Sequence, residues 1–368
     1  MNNEPTFKAS PEFKEDAHFS SFNQYKNVYE FSIADRDRFW SGEARELFWF
    51  NSWKEVKQGK AFSSKWFVGG KTNLSYNCLD RHLTTEKRNK AAVIWESETG
   101  ESRILTYQLL FTHVCKFANL LKSLGVKKGD YVIVYMGVIP EALIAMLACS
   151  RIGAIHSVVY SELSSTALAE RIKSISCKYI ITQDFIIRKG FQNNLKAKVK
   201  LALEESSTVE KIIVFNRSKE SELKPISEKE VSWQNEISKV TDECEALPLL
   251  SQQPLFSMFT NGSKGDLINI LHLTGGYMVQ SYISSKWIFD LKGNDIIWSV
   301  SDISWISAHT YSIYGPLLNG VTTFLYEGVP IYPEADKYWQ LISKYRINIL
   351  YLNPTTIRAL SKLGNEWV

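Results

Sequence analysis

The segment from 106 to 183 leaves this chain few folds to choose from. "TYQLLFTHVCKFANLLKSLG" sets Leu110, Val114, Phe117 and Leu121 at steps of three and four, the period of an amphipathic helix, and Gly125 ends it. "DYVIVYM" then reads as a buried strand and "PEALIAMLACSRIG" as a helix opened by Pro140. "AIHSVVY" reads as a strand, residues 165–176 as a helix, and "KYIITQD" as a strand. This β-α-β-α-β rhythm is that of an α/β fold in which parallel sheets are flanked by helices on both faces. Further strands are expected at "VEKIIVFN", "PLFSMFT", "DIIWSVS", "VTTFLYEG" and "INILYLN". The charged stretch 216–230 reads as a solvated loop, and there is no internal repeat.

Ahead of this pattern the chain changes character. The first eighteen residues read as a flexible lead. Between about 25 and 75 the aromatics crowd without a period, among them Tyr25, Phe39, Trp40, Trp49, Trp53, Trp66 and Phe67. Such a stretch cannot form a layered core of its own, so an extended segment pinned by its aromatics against the following domain is expected.

Composition removes several classes of function. A net charge of +4 with scattered Lys and Arg gives no basic stripe for nucleic acid. Five dispersed cysteines with no CxxC pair argue against a zinc site or a disulfide framework and suit a reducing compartment. The start, "MNNEPTFKASPEFKEDAH", is polar and acid-bearing, unlike a signal or transit peptide. The most apolar run is interrupted by Arg151, Gly153 and His156, so no membrane span is expected. The expectation is a soluble, cytoplasmic protein.

Three stretches could carry chemistry. "FTNGSKGDLIN" places Thr260, Asn261, Gly262, Ser263, Lys264 and Gly265 after a strand, where N–H groups and hydroxyls can face phosphate oxygens. Asp266 opposes an anion there, and an ordinary glycine turn is an equal reading on spacing alone. "SDISWISAHTYSIYGP" follows another strand and offers Asp302, Trp305, Ser307 and His309. His309 reads as a general base or as a structural histidine among aromatics. Asp80, Arg81 and His82 in "NCLDRHL" read as a structural polar knot.

Taken together, "VYEFSIADRDRFW", "KWFVGG", "NLSYNCLDRHL", "LGVKKGDYVIVYM", "IPEALIAMLACSRIGAIHSVVY", "YGPLLNGVTTFLYEGVPIYP" and "PTTIRAL" closely resemble the AMP-forming acetyl-CoA synthetases, in collinear order from about 25 to 368. "SYNCLDRH" with "EGVPIYP" leans toward the acetate branch over the propionate branch. The resemblance implies joining acetate to ATP with magnesium, giving acetyl-adenylate and pyrophosphate, then passing the acetyl group to coenzyme A (CoA) with release of AMP. It divides the chain into a lead at 1–24, an N-terminal segment at 25–85 and part of an AMP-binding large domain at 86–368.

Carried over residue by residue, the resemblance also implies losses. The family's phosphate loop, TSGSTGKPKG, is matched at Thr260, Gly262, Ser263 and Gly265, but Asn261 and Lys264 differ and "DLIN" replaces KPKG. The acyl pocket falls on Trp305, Ile306 and Ser307, while Ser304 and Ala308 stand in place of glycines. For CoA, Arg188 matches a phosphate-contacting arginine, but Phe191 replaces a second one, Ser161 and Glu162 replace a Gly-Gly pair, and Asn353 replaces an alanine. The family's remaining adenine, ribose, magnesium and adenylation groups fall beyond the matched stretch, and no metal ligands are assigned here. The expectation is a truncated chain with no complete catalytic set. The alternatives are half of a split ligase completed by a C-terminal half on a second chain, or a non-catalytic partner of an intact synthetase.

Overall fold

In the computed structural model, which describes residues 8–60, 63–217, 225–263, 265–364 and 367, helix Tyr107–Ser123 forms where its period places it. Thr106 caps the start by accepting from the Leu109 N–H at 3.1 Å. The chain leaves at Gly125, whose φ of 93° suits a residue without a Cβ. Leu110, Val114, Phe117 and Leu121 are fully buried, each contributing roughly 1.5–3 kcal/mol by leaving water. Helix Pro140–Ile152 is buried along its whole length, Glu141 and Arg151 included, and ends at Gly153 in the left-handed region.

These helices cover one face of a seven-stranded sheet. Its spatial order is Glu230–Ser232, Lys211–Phe215, Tyr179–Gln183, Tyr131–Tyr135, Ile155–Val158, Pro254–Asn261 and Leu267–Leu273. All neighbours are parallel except the last pair, an antiparallel hairpin. Val132 and Val134 join the core under the two helices, while Ile133 and Tyr135 join a second core with helices Ser165–Ser174 and Leu195–Glu204. That alternation is what a sheet covered on both sides requires.

A second sheet of five strands runs Ile349–Tyr351, Ile296–Ser299, Thr322–Glu327, Ala91–Ser97 and Ser102–Thr106, again parallel except for a final antiparallel pair. Arg217, just past strand Lys211–Phe215, reaches across to Glu327 at the end of Thr322–Glu327, with N–O distances of 2.7 and 2.9 Å. The carboxyl ends of strands from both sheets therefore meet, as open α/β sheets place their crevices.

The N-terminal stretch differs from the flexible lead and the extended segment expected there. Helices form at Pro11–Asp16, Phe22–Ala34 and Arg36–Ala44, capped by Ser10, Ser21 and Asp35. Helix Phe22–Ala34 buries no residue, and Tyr25 stacks on Tyr29 one turn on, so its aromatics carried no core-facing period to read. The pinning itself is present. His18 bonds Asp290 and Leu291, and Phe19 and Phe39 pack on Trp287 at 5.2 and 5.9 Å. Of the stretch 216–230, residues 218–224 lie outside the described residues. No helix among the described residues is long and apolar enough to cross a membrane.

Candidate functional site

The crevice at the strand ends holds a cavity of about 160 Å³ bordered by Arg188, Ser301, Asp302, Tyr326, Asn353 and Thr356. Arg188 comes from the hairpin Phe185–Arg188 and Phe191–Asn194, which follows strand Tyr179–Gln183. Asn353 caps helix Pro354–Ser361 by accepting from the Thr356 N–H at 2.8 Å. Asp302 accepts from the Ser304 N–H and hydroxyl at 2.9 and 2.6 Å. Desolvation nonetheless raises its carboxyl above the usual range, with the Ser304 bonds opposing. The sequence therefore brings Arg188 and Asn353 to one cavity.

A more open cleft beside it is bordered by Glu162, Arg188, Phe191 and Lys198. Within it the Glu162 carboxylate lies 2.8 Å from the Arg188 Nε. The Phe191 ring is exposed. The guanidinium nominated for an anionic ligand already has a carboxylate partner from this chain.

At the glycine loop, the ladder pairs Thr260 with Ile268 and Asn261 with Leu267, so both are strand residues with exposed side chains. The turn then closes on itself. The Gly262 N–H donates to the Asp266 carbonyl at 2.8 Å, and the Gly265 N–H donates to the Gly262 carbonyl at 2.9 Å. Gly265 takes φ of 85°, which keeps this turn tight. Ser263 and Asp266 are exposed, and Lys264 lies outside the described residues.

Trp305 is 62% exposed and Ile306 is exposed beside it, while the Ser307 and Ser301 hydroxyls bond each other at 2.8 Å. Trp305, Ile306 and Ser307 do not border the cavity holding Arg188 and Asn353, though Ser301 does. His309 is fully buried, with Nδ1 3.1 Å from the Trp305 carbonyl and its ring parallel to His156 at 5.9 Å. Burial pushes its pKa down to about 4, so it stays neutral, a poor placement for exchanging protons with solvent. Asp80, Arg81 and His82 form a knot. Asp80 pairs with Arg151, Arg81 donates to the Asn77, Glu46 and Leu318 carbonyls, and His82 meets the Leu317 carbonyl at 2.9 Å.

Reading the sequence missed the cluster at the meeting of the two sheets. Arg217 binds Glu327 through its side chain and the Asp184 carboxylate through its N–H, and Gln183 accepts from the Gly137 N–H at 2.9 Å. Burial raises the Glu327 carboxyl to about 7, with Arg217 opposing. The available signal was positional, since Gln183, Asp184 and Glu327 are polar residues at the carboxyl ends of two buried strands.

Residues 79–367 match the family described as AMP-binding enzyme, and residues 25–78 match the family described as acetyl-coenzyme A synthetase N-terminus. An acetyl-coenzyme A synthetase of Chlorobaculum tepidum is 44% identical over 356 residues, covering 97% of this chain and 54% of that protein. One of Bdellovibrio bacteriovorus is 40% identical, covering 94% and 54%. The structure of acetoacetyl-CoA synthetase from Streptomyces lividans shares the fold with a TM-score of 0.85 at 22% identity, over 92% of this chain and 52% of that one. The chain spans about half the length of the curated relatives it matches.

Proposed function

The chain belongs to the AMP-binding enzyme family, and on that premise we propose that it corresponds to the N-terminal portion of an acetyl-CoA synthetase whose own residues hold neither the nucleotide nor CoA well enough for catalysis. The glycine turn carries this reading. A phosphate loop works by leaving its N–H groups free for the ligand, and here Gly262 and Gly265 spend theirs inside the turn. Asp266 adds an exposed negative charge beside it. A unit charge about 4 Å from each phosphate charge costs about 1 kcal/mol in water and about 4 kcal/mol near a partly desolvated surface.

The other implied groups fit no better. Coenzyme A phosphates would compete with Glu162 for Arg188, and Phe191 offers no charge. Among the described residues no three His, Cys, Asp or Glu side chains are grouped as a metal site. Completion by a C-terminal half on a second chain is the competing reading. The exposed Trp305 and Ile306 favour it as surface to be covered, but a covering chain would not release the N–H groups of the turn.

A thermal melt with saturating magnesium-ATP tests the proposal. We expect the midpoint to stay fixed, because a ligand stabilises only what it binds. A rise of about 2 °C or more, or acetate-dependent pyrophosphate exchange by this chain alone, would overturn it.

A further inference from the structure

Strand Leu267–Leu273 is the longest edge strand among the described residues. The other sheet edges are short or charged: Glu230–Ser232 and Ile349–Tyr351 have three residues each, and Ser102–Thr106 carries Arg103, held by Glu141. Such devices keep sheet edges from pairing with other chains. Leu267–Leu273 has none of them. It contains no Lys, Arg, Asp, Glu or Pro, its pairing with Pro254–Asn261 runs without a register shift from Leu267 to His272, and Ile268, Ile270 and Leu271 are exposed. Where the family's loop pattern would place lysine, proline, lysine and glycine, this chain has Asp266, Leu267, Ile268 and Asn269. The changes that replace the two lysines of that pattern also supply strand-forming residues and remove an edge-blunting lysine and proline.

The ladder fixes which backbone groups are open. Gly262 and Asp266 form a bonded pair at the turn, and antiparallel pairs alternate between bonded and non-bonded. Ile268, Ile270 and His272 therefore bond inward to strand Pro254–Asn261, while Leu267, Asn269, Leu271 and Leu273 turn their N–H and C=O groups to the open edge. Water satisfies these groups in the free chain, and the partner that can replace it along the whole row is another extended backbone. We infer that this edge pairs antiparallel with the same strand of a second copy of the chain, about a two-fold axis through Ile270.

The sequence is self-complementary in that register. Leu267 faces Leu273 and Asn269 faces Leu271 of the second copy, and all are outward-bonding residues, as the pattern demands. Ile270 faces its own copy. No formal charge lies between Asp266 and Lys286, so two copies meet without like-charge repulsion along the strand. The pairing uses up the open edge of both copies, giving a closed dimer with a continuous sheet instead of a growing fibre.

Sedimentation velocity of the full chain over a wide concentration range is the test. The unmodified chain is expected to dimerise. Ile270→Lys sets two like charges face to face and is expected to weaken association about tenfold or more. So is Ile270→Glu. Mixing the two variants is expected to restore a dimer, because Lys then faces Glu. Leu271→Pro, which removes only an outward N–H, is expected to keep a single cooperative unfolding transition and to leave the chain monomeric. A chain that stays monomeric at every concentration, as it would if the edge served a strand of a different protein, overturns the inference. So does a dimer that survives both Ile270→Lys and Leu271→Pro. Variants that stay apart when mixed overturn the two-fold register.

Discussion

Replacing Asp80 with alanine is expected to cost about 3–5 kcal/mol of folding stability. The Arg151 side chain is 2% exposed, and both terminal nitrogens donate to the Asp80 carboxylate at 2.8 Å. Its Nε donates to the Cys244 carbonyl at 2.6 Å, and its guanidinium lies 5.1 Å over the Phe111 ring. Guanidinium does not shed its proton inside a protein. Without Asp80 it would remain a buried cation with one carbonyl and a ring for company. The pair also ties residues 80, 151 and 244, which belong to three different parts of the chain. The double replacement Asp80→Ala with Arg151→Met removes the charge along with its partner and should recover most of the loss. Urea unfolding of the single and double variants measures both. A single-variant loss below about 1 kcal/mol, the range of exposed pairs, would show that the buried charge is not what holds these segments together.

Acid is expected to destabilise the chain from about pH 6.5 downward through its histidines. Burial pushes His309 to about 4 and His82 to about 3, the latter helped by the Arg81 charge, and lowers His156 as well. A histidine with a folded pKa below its unfolded value binds fewer protons when folded, so stability falls as pH drops below the unfolded value. The fall levels off once pH passes the folded value. Each such group costs about 1.4 kcal/mol per pH unit within that window. Glu43 and Glu327, raised by burial to about 7, act the other way. They stabilise the folded state as pH falls from 7 toward the ordinary carboxyl range and so offset part of the loss. The clean measurement is therefore a difference. His309→Gln should flatten the dependence of unfolding free energy on pH by about one proton between pH 6 and 4.5. Parallel curves for variant and parent would mean that His309 is not the neutral, enclosed ring described above.

What could be read from the sequence was what is local. Helices Tyr107–Ser123 and Pro140–Ile152 announce themselves because their caps and periods lie within a few residues of each other. The strands between them follow from short apolar runs that only a doubly covered sheet can bury. Helix Phe22–Ala34 stayed hidden because a helix that buries nothing leaves no stripe. The segment after the glycine turn carries no strand expectation, since its partner strand is what makes it a strand. At the candidate site, the loss of two lysines from the loop follows from setting "DLIN" against the pattern of the family that the chain resembles. The meeting of Arg188 with Glu162, 26 residues earlier, and of Arg217 with Glu327, 110 residues later, depends on how the chain is folded back. No window of sequence contains those pairs.

Helix Pro140–Ile152, buried from its first residue to its last, has a consequence for how the molecule breathes. Most helices keep one side toward water and can fray there, one turn at a time. This one has no such side, because Val132 and Val134 of the sheet lie in the same core cluster together with helix Tyr107–Ser123 and aromatics of the N-terminal segment. Its amide protons have no private route to solvent. They should exchange for deuterium only when the whole assembly opens, and with one common opening free energy from Leu143 to Ile152. Isotope reaching Leu147 would then count the openings of the entire molecule.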